Sequence, residues 1–212
     1  MWLAIALFSA LHLYSIERGP KWLFYISKPL PIWMLAAFLT VEYQSFYSNA
    51  IVLALLVSSL GDILLMSPKD RFLSGLSVFL LAHLIYTVTF WLQIDTNLSL
   101  WLPFLLGCIG VIVYLLLLPS LDEVKLPVAI YFVVILLMAW SAIEFWRTSH
   151  SQAAVFAVMG ALIFIISDLV LAIDRFRSSS RFSKQVIMTT YYTAQALFTL
   201  SVVASVNLYL AQ

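Results

Sequence analysis

One cysteine in 212 residues, Cys108, excludes a disulfide framework and a cysteine-built zinc site. Charge is almost as scarce. Asp, Glu, Lys and Arg make up 10% of the chain, against about 25% in an ordinary soluble domain. The charges nearly cancel, to a formal +1, which excludes a nucleic-acid binder working through bulk electrostatics. What is abundant is apolar: 64% of residues are hydrophobic and the mean hydropathy is +1.04. Eleven basic and ten acidic side chains cannot cover so much apolar surface in water. A secreted disulfide scaffold, a disordered chain and an ordinary cytosolic enzyme all fall away, leaving a polytopic membrane protein.

A bilayer core of about 30 Å takes roughly 20 apolar residues per helix, fewer where a span is short. Apolar runs fall at about 2–16, 22–40, 50–66, 72–92, 99–118, 126–146, 153–174 and 186–210. The chain therefore reads as all-α: one transmembrane domain over 1–212 with eight helices and short polar connections. The first run is expected to be a true span. No basic residue precedes it, and Tyr14-Ser15-Ile16-Glu17 is not a small-x-small cleavage site. Arg18, Lys21 and Lys28, then Lys69 and Arg71, Lys125, and Arg175, Arg177, Arg181 and Lys184 all follow odd-numbered runs. These are ten of the eleven basic residues; Arg147 alone falls on the other side. The positive-inside rule then places both termini outside. Trp2, Tyr43, Tyr47, Trp91, Trp101 and Trp146 are expected at the outer interface and Trp22 at the inner one.

A charge at the centre of a membrane helix costs about 2.5–3.5 kcal/mol on insertion scales, so each one needs a reason. Lys28, Asp62, His83 and Asp168 qualify, with Gln195 as a neutral companion. Asp62 lies seven residues before Lys69, Asp168 seven before Arg175 and Lys28 seven after Lys21. At about 1.5 Å per residue each sits roughly 10 Å inside the cytoplasmic boundary. His83 and Gln195 lie nearer the midplane, and His12, Tyr86, Tyr131, Tyr191 and Tyr192 are expected nearby. Glu42, Asp95 and Glu144 fall near the outer rim. Gly107, Cys108 and Gly110 read as a close-packing face of the fifth run. Each polar residue also has a structural reading: an Asp pairing with Lys28 or a tyrosine, Lys28 snorkelling to the interface, and His83 or Gln195 bonding between helices.

Two segments resemble each other. Gly61-Asp62-Ile63-Leu64-Leu65-Met66 leads to Asp70-Arg71-Phe72, and Ser167-Asp168-Leu169-Val170-Leu171-Ala172 leads to Asp174-Arg175-Phe176. Ala82-His83 and Ala194-Gln195 follow, and Lys28-Pro29 has a weaker echo in Lys125-Leu126-Pro127. The pattern suggests a parallel four-helix internal repeat, whose twofold axis along the membrane normal brings Asp62 and Asp168 together across one cavity.

Two carboxylates in a low-dielectric pocket do not both ionise. One can give a proton while the other accepts one, a division suited to hydrolysis through an oxocarbenium ion. A pocket inside the bilayer implies a lipid substrate. Lys28-Pro29, the Gly61–Met66 segment and Phe79 through Ala82-His83 to Tyr86 resemble the YhhN-like lysoplasmalogenase family of small eight-span proteins. So do Pro127 with Tyr131 and Met138, Gly160-Ala161 with Phe164, Ser167-Asp168, and Tyr191-Tyr192 with Gln195. The resemblance runs from the second helix to the eighth and implies hydrolysis of a lysoplasmalogen vinyl ether to a fatty aldehyde and a glycerophospho-base. The residues fit that chemistry. Asp62 or Asp168 is the neutral acid, and the other, ionised, steadies the cation and deprotonates water. His83, Tyr131, Tyr191, Tyr192 and Gln195 position water or acid. Lys28 holds the lipid phosphate or tunes an aspartate, and Tyr86 and Ser167 are expected to touch substrate. No metal or other cofactor is required, the partners are a lysophospholipid and the bilayer, and a bacterial source would place the protein in the inner membrane.

Other classes compete. A metal-dependent hydrolase has only His12, His83, Asp62 and Asp168 to draw on and no His pair at helical spacing. A small-solute or proton-coupled transporter suits polar residues within spans, but would want them in both halves of the bilayer. A purely structural role leaves the buried carboxylates without a purpose.

Overall fold

The computed structural model describes residues 1–67, 71–94 and 98–210, with the backbone alone over 207–210. Lys69, Asp70 and Asp95 lie outside the described residues. The described residues form α-helices and two short 3₁₀ turns, with no strand among them. In chain order the helices are α1 (Trp2–Arg18), α2 (Lys21–Ser27), α3 (Leu30–Glu42), α4 (Phe46–Leu65), α5 (Phe72–Trp91), α6 (Trp101–Leu117), α7 (Lys125–Ser149), α8 (Gln152–Phe176) and α9 (Ser183–Leu210).

Among the described residues seven segments are long and apolar enough to cross a membrane, and the chain is an integral membrane protein. They are α2 with α3 taken together, α4, α5, α6 with the turn that follows it (Trp101–Ser120), α7 with the turn that precedes it (Asp122–Ser149), α8 and α9; α1, at 17 residues, is shorter than any of these segments. Ser45 and Ser151 cap α4 and α8, each accepting a bond from the backbone N–H three residues on. α7 ends at His150, whose left-handed backbone (φ 48°) lets its N–H close on the Trp146 carbonyl.

The continuous helix expected over 22–40 is broken. Lys28-Pro29-Leu30-Pro31 brings two prolines within three residues, and each lacks the N–H that a helix interior needs. α2 therefore stops at Ser27 and α3 starts at Leu30. The Tyr192 hydroxyl of α9 donates to the Lys28 carbonyl (2.8 Å), holding the break against the last helix.

Helices are paired closely where glycine removes a side chain. A Cβ on Gly61 would fall 2.7 Å from the Phe79 ring, where α4 meets α5. One on Gly160 would fall 2.6 Å from Phe198, where α8 meets α9. α3 lies on α4 as α7 lies on α8, and α9 returns to α3 as α5 reaches α7. α1 packs against α2, α3 and α9, whereas α6 leans chiefly on α7.

Three expectations are corrected. Tyr47 is not an interface aromatic: it is buried, and its hydroxyl meets Ser201 Oγ at 2.6 Å. Glu144 is fully buried rather than at a wet rim, accepting bonds from Ser99, Trp140 and Arg147. Of the small residues on α6 only Gly110 packs closely, against Leu136; Cys108 is exposed, and a Cβ on Gly107 would meet nothing within 4 Å.

Candidate active site

A cavity of about 570 Å³ opens between α1, α2, α4, α5, α8 and α9. Lys28, Asp62, Ser167, Asp168 and Tyr191 share its wall, and Asp174, Arg175, Ser179 and Lys184 also line it. The two carboxylates thus come from α4 and α8 to one space.

The two are held differently. Lys28 sits at the break between α2 and α3, where the chain turns its side chain inward. Its Nζ lies 3.0 Å from Asp62 Oδ1, with side-chain exposures of 10% and 3%. Lys28 is therefore ion-paired in the interior and does not snorkel. The Tyr191 hydroxyl of α9 stands beside Asp62, and neither it nor Asp62 Oδ2 makes a well-aligned hydrogen bond.

Asp168 has no cation of that kind. The Tyr131 hydroxyl of α7 donates to Asp168 Oδ2 at 2.5 Å. His83 Nε2 of α5 faces the same oxygen at 3.5 Å, without forming a directed hydrogen bond. His83 Nδ1 lies 2.7 Å from the Phe79 carbonyl, which can only accept, so Nδ1 carries a proton. The ring is clamped edge-on by Phe164 and Tyr131, at centroid distances of 4.6 and 5.3 Å. An imidazole with its one proton on Nδ1 leaves Nε2, 3.5 Å from Asp168 Oδ2, as an acceptor.

Other residues named from sequence stand behind these. Tyr86 and Gln195 are fully buried and bonded to each other, with the Tyr86 hydroxyl 2.5 Å from Gln195 Oε1; neither lines the cavity. Tyr192 locks the helix break. Ser167 lines the cavity, but its hydroxyl donates to the Ile187 carbonyl (3.0 Å), tying α8 to α9. His12, given only a neighbouring place from sequence, lies fully buried in the cavity wall. Its Nδ1 is 2.9 Å from Ser27 Oγ and its Nε2 has no partner. Its position six residues before Arg18 was a usable signal, since the same depth argument applies to it. Neither Arg175 nor Lys184 was a candidate site residue from sequence, yet both line the cavity.

The family model for the YhhN family matches residues 23–202. The chain belongs to the YhhN family. A protein named uncharacterized membrane protein YhhN from Escherichia coli O157:H7 is 29% identical over 199 residues, 92% of this chain and 94% of its own. Human lysoplasmalogenase TMEM86A is 32% identical over 203 residues, 91% of this chain and 83% of its own. Rat lysoplasmalogenase TMEM86B is 36% identical over 201 residues, 92% and 80% respectively. No solved structure matches this chain. Among its described residues, this YhhN-family protein groups no three His, Cys, Asp or Glu side chains for a metal ion.

Proposed function

We propose that this protein hydrolyses the vinyl ether bond of a lysoplasmalogen, releasing a fatty aldehyde and a glycerophospho-base. The reading rests on one observation above all. Two carboxylates, from α4 and α8, line one cavity, one 3.0 Å from the Lys28 ammonium and the other 3.5 Å from His83 Nε2. The names of the TMEM86 relatives agree with it and do not favour transport.

The surroundings favour a division of roles. Asp62, 3.0 Å from an ammonium, is the ionised carboxylate. Asp168 Oδ2 and His83 Nε2 are both acceptors unless one carries a proton, and in a low dielectric the uncharged arrangement costs least. Asp168 is then the neutral carboxylic acid. It gives its proton to the β-carbon of the vinyl ether, whose π electrons form the new C–H bond. The α-carbon and ether oxygen share the resulting positive charge, and Asp62 offsets it. Water adds to the α-carbon and loses a proton to Asp62, giving a hemiacetal. As the hemiacetal collapses, its hydroxyl proton returns to Asp168, the bond from the α-carbon to the glycerol oxygen breaks, and that oxygen takes the proton from Asp62. Both carboxyls end as they began. Tyr131 and His83 orient the acid; Tyr191, beside Asp62, positions the water. With Lys28 engaged by Asp62, the lipid phosphate falls to Lys184 and Arg175.

The wider topology belongs to the same proposal. α1 is the eighth span, seated in the bundle by α2, α3 and α9. Both termini lie outside, and the cavity, lined by basic Arg175 and Lys184, lies in the cytoplasmic half, in the inner membrane of a bacterium. The recurring neighbour pattern of α3, α4 and α5 in α7, α8 and α9 favours a parallel duplication within one domain.

The test is aldehyde release from a vinyl-ether lysolipid by detergent-purified protein, with a saturated-ether lysolipid as control and Asp62→Asn and Asp168→Asn alongside. Aldehyde from the vinyl ether alone, lost in both variants, is the expected result. Full activity in both folded variants rejects the mechanism, and no aldehyde from folded wild-type protein rejects the function.

A further inference from the structure

Asp168 also borders a second space. A narrow groove of about 90 Å³ runs between α6, α7 and α8, walled by Gly110, Val113, Tyr131, Ile135, Leu136 and Ile165 among others. Asp168, Phe72 and Leu171 belong to both the groove and the polar cavity, so the two spaces meet at the carboxyl. Apart from Asp168 and the Tyr131 hydroxyl, its lining is entirely hydrocarbon and aromatic. Gly110 is what makes the room: a Cβ there would collide with Leu136 Cδ1. The outer wall, α6, is the most weakly buried of the seven candidate spans, with Ile109, Ile112 and Leu116 about half exposed or more. At its far end α6 is tethered to α8 by Arg177, which donates to the Leu116 carbonyl at 3.2 Å.

We propose that this groove is the subsite for the hydrocarbon chain of the substrate, reached sideways from the bilayer past α6. The proposal rests on the lysoplasmalogen reading and deepens it. A chain lying in the groove ends at Asp168, and the atoms that follow it, the vinyl ether and then the glycerol, pass into the polar cavity toward Lys184. At about 90 Å³ the groove takes a short stretch of one hydrocarbon chain. From Tyr131 to Leu136 the wall rises about 7.5 Å along α7, so it grips only the first several methylenes and leaves the rest in lipid. A rival groove between Tyr25, Trp33 and Ile63 borders neither Asp168 nor Asp62.

The probe is a saturated 1-O-alkyl lysophospholipid with a diazirine a few carbons from the ether. It is photolysed with full-length protein in nanodiscs, and the adducts are mapped by peptide mass spectrometry. Labelling is expected within 109–113 and 132–136, and is expected to fall at least fivefold in Val113→Trp. Ile109→Trp, at a half-exposed position that tolerates bulk, gives a second blocking variant should Val113→Trp not fold. In a parallel assay with vinyl-ether lysolipids, either variant lowers the long-chain to short-chain ratio of kcat/KM at least tenfold. Labelling around Trp33 and Ile63, or labelling unmoved by both variants, overturns the subsite. Because the probe has no cleavable bond, the labelling result does not depend on whether the wild-type protein releases aldehyde. An inactive wild type labelled at 109–113 keeps the groove and discards the reaction.

Discussion

Replacing Lys28 by Met removes the cation from the Asp62 pair while keeping most of the side-chain volume. At 3.0 Å and an effective dielectric of 20, the gross attraction is about 5.5 kcal/mol, opposed by the desolvation of both ions. Breaking such a pair from one side typically costs about 3–5 kcal/mol, because the surviving charge is left uncompensated. Side-chain exposures of 10% and 3% bury both partners from bulk solvent, but both line the polar cavity that admits the reacting water, so the lower half of that range applies. Removing both ions is a different perturbation: Lys28→Met combined with Asp62→Leu strands no charge. Its cost should fall below that of Lys28→Met alone, with a coupling energy of about 2 kcal/mol or more. Thermal and denaturant unfolding in a fixed detergent, run on the wild type, both single variants and the double, give the cycle. Strictly additive losses would refute the pairing. So would a Lys28→Met protein as stable as wild type, which would mean that Lys28 reaches the interface and Asp62 is solvated by other means.

Tyr131→Phe removes the 2.5 Å bond to Asp168 and should lower kcat about tenfold or more with little change in KM; a change confined to KM would place Tyr131 in substrate binding instead. Gly61→Ala drives a methyl to within 2.7 Å of Phe79, whose carbonyl holds His83, and should cost about 1–3 kcal/mol, read by unfolding. Gly107→Ala meets nothing within 4 Å and should be neutral or slightly stabilising, so an equal loss in both would discredit the packing argument. Tyr47→Phe forfeits the 2.6 Å contact with Ser201, which keeps its bond to the Ala153 carbonyl, and should lower stability by about 1 kcal/mol.

The meeting of Asp62 and Asp168 at one cavity was legible in the sequence because a basic residue flanking an apolar helix gives a common reference for register. Counting seven residues back from Lys69 and Arg175 therefore brings Asp62 and Asp168 to one level. The helix break at Lys28 is written in Pro29 and Pro31, yet hydropathy does not register a missing N–H, and the run reads as continuous. Which helices touch was not legible. His83 and Gln195 occupy matching places after the duplicated segments, but His83 reaches Asp168 on α8 whereas Gln195 receives Tyr86 from α5. Position along a helix says nothing about its rotation, and rotation decides whether Tyr86 lines a cavity or clamps two helices. Glu144 misled for a related reason: a helix end is usually wet, and only the fold of 98–100 over it buries the carboxylate under Ser99.

The unequal treatment of the two carboxylates has a chemical logic. In the proposed mechanism the set starts neutral overall: Lys28 balances Asp62, and one shared proton keeps Asp168 and His83 uncharged. Proton transfer to the lipid creates two new charges at once, a carboxylate at Asp168 and a cation on the substrate. Each then finds a group already in place. The Tyr131 hydroxyl, 2.5 Å from Asp168, bonds a carboxylate more strongly than a carboxylic acid, and Asp62 faces the cation across the cavity. Both interactions strengthen as the charge develops, which is the condition for lowering a barrier rather than merely binding the lipid. Two free carboxylates would repel each other and could not both remain ionised, and two lysine-paired ones would leave no proton to give. One pair and one acid is the arrangement that does both tasks at a single pH.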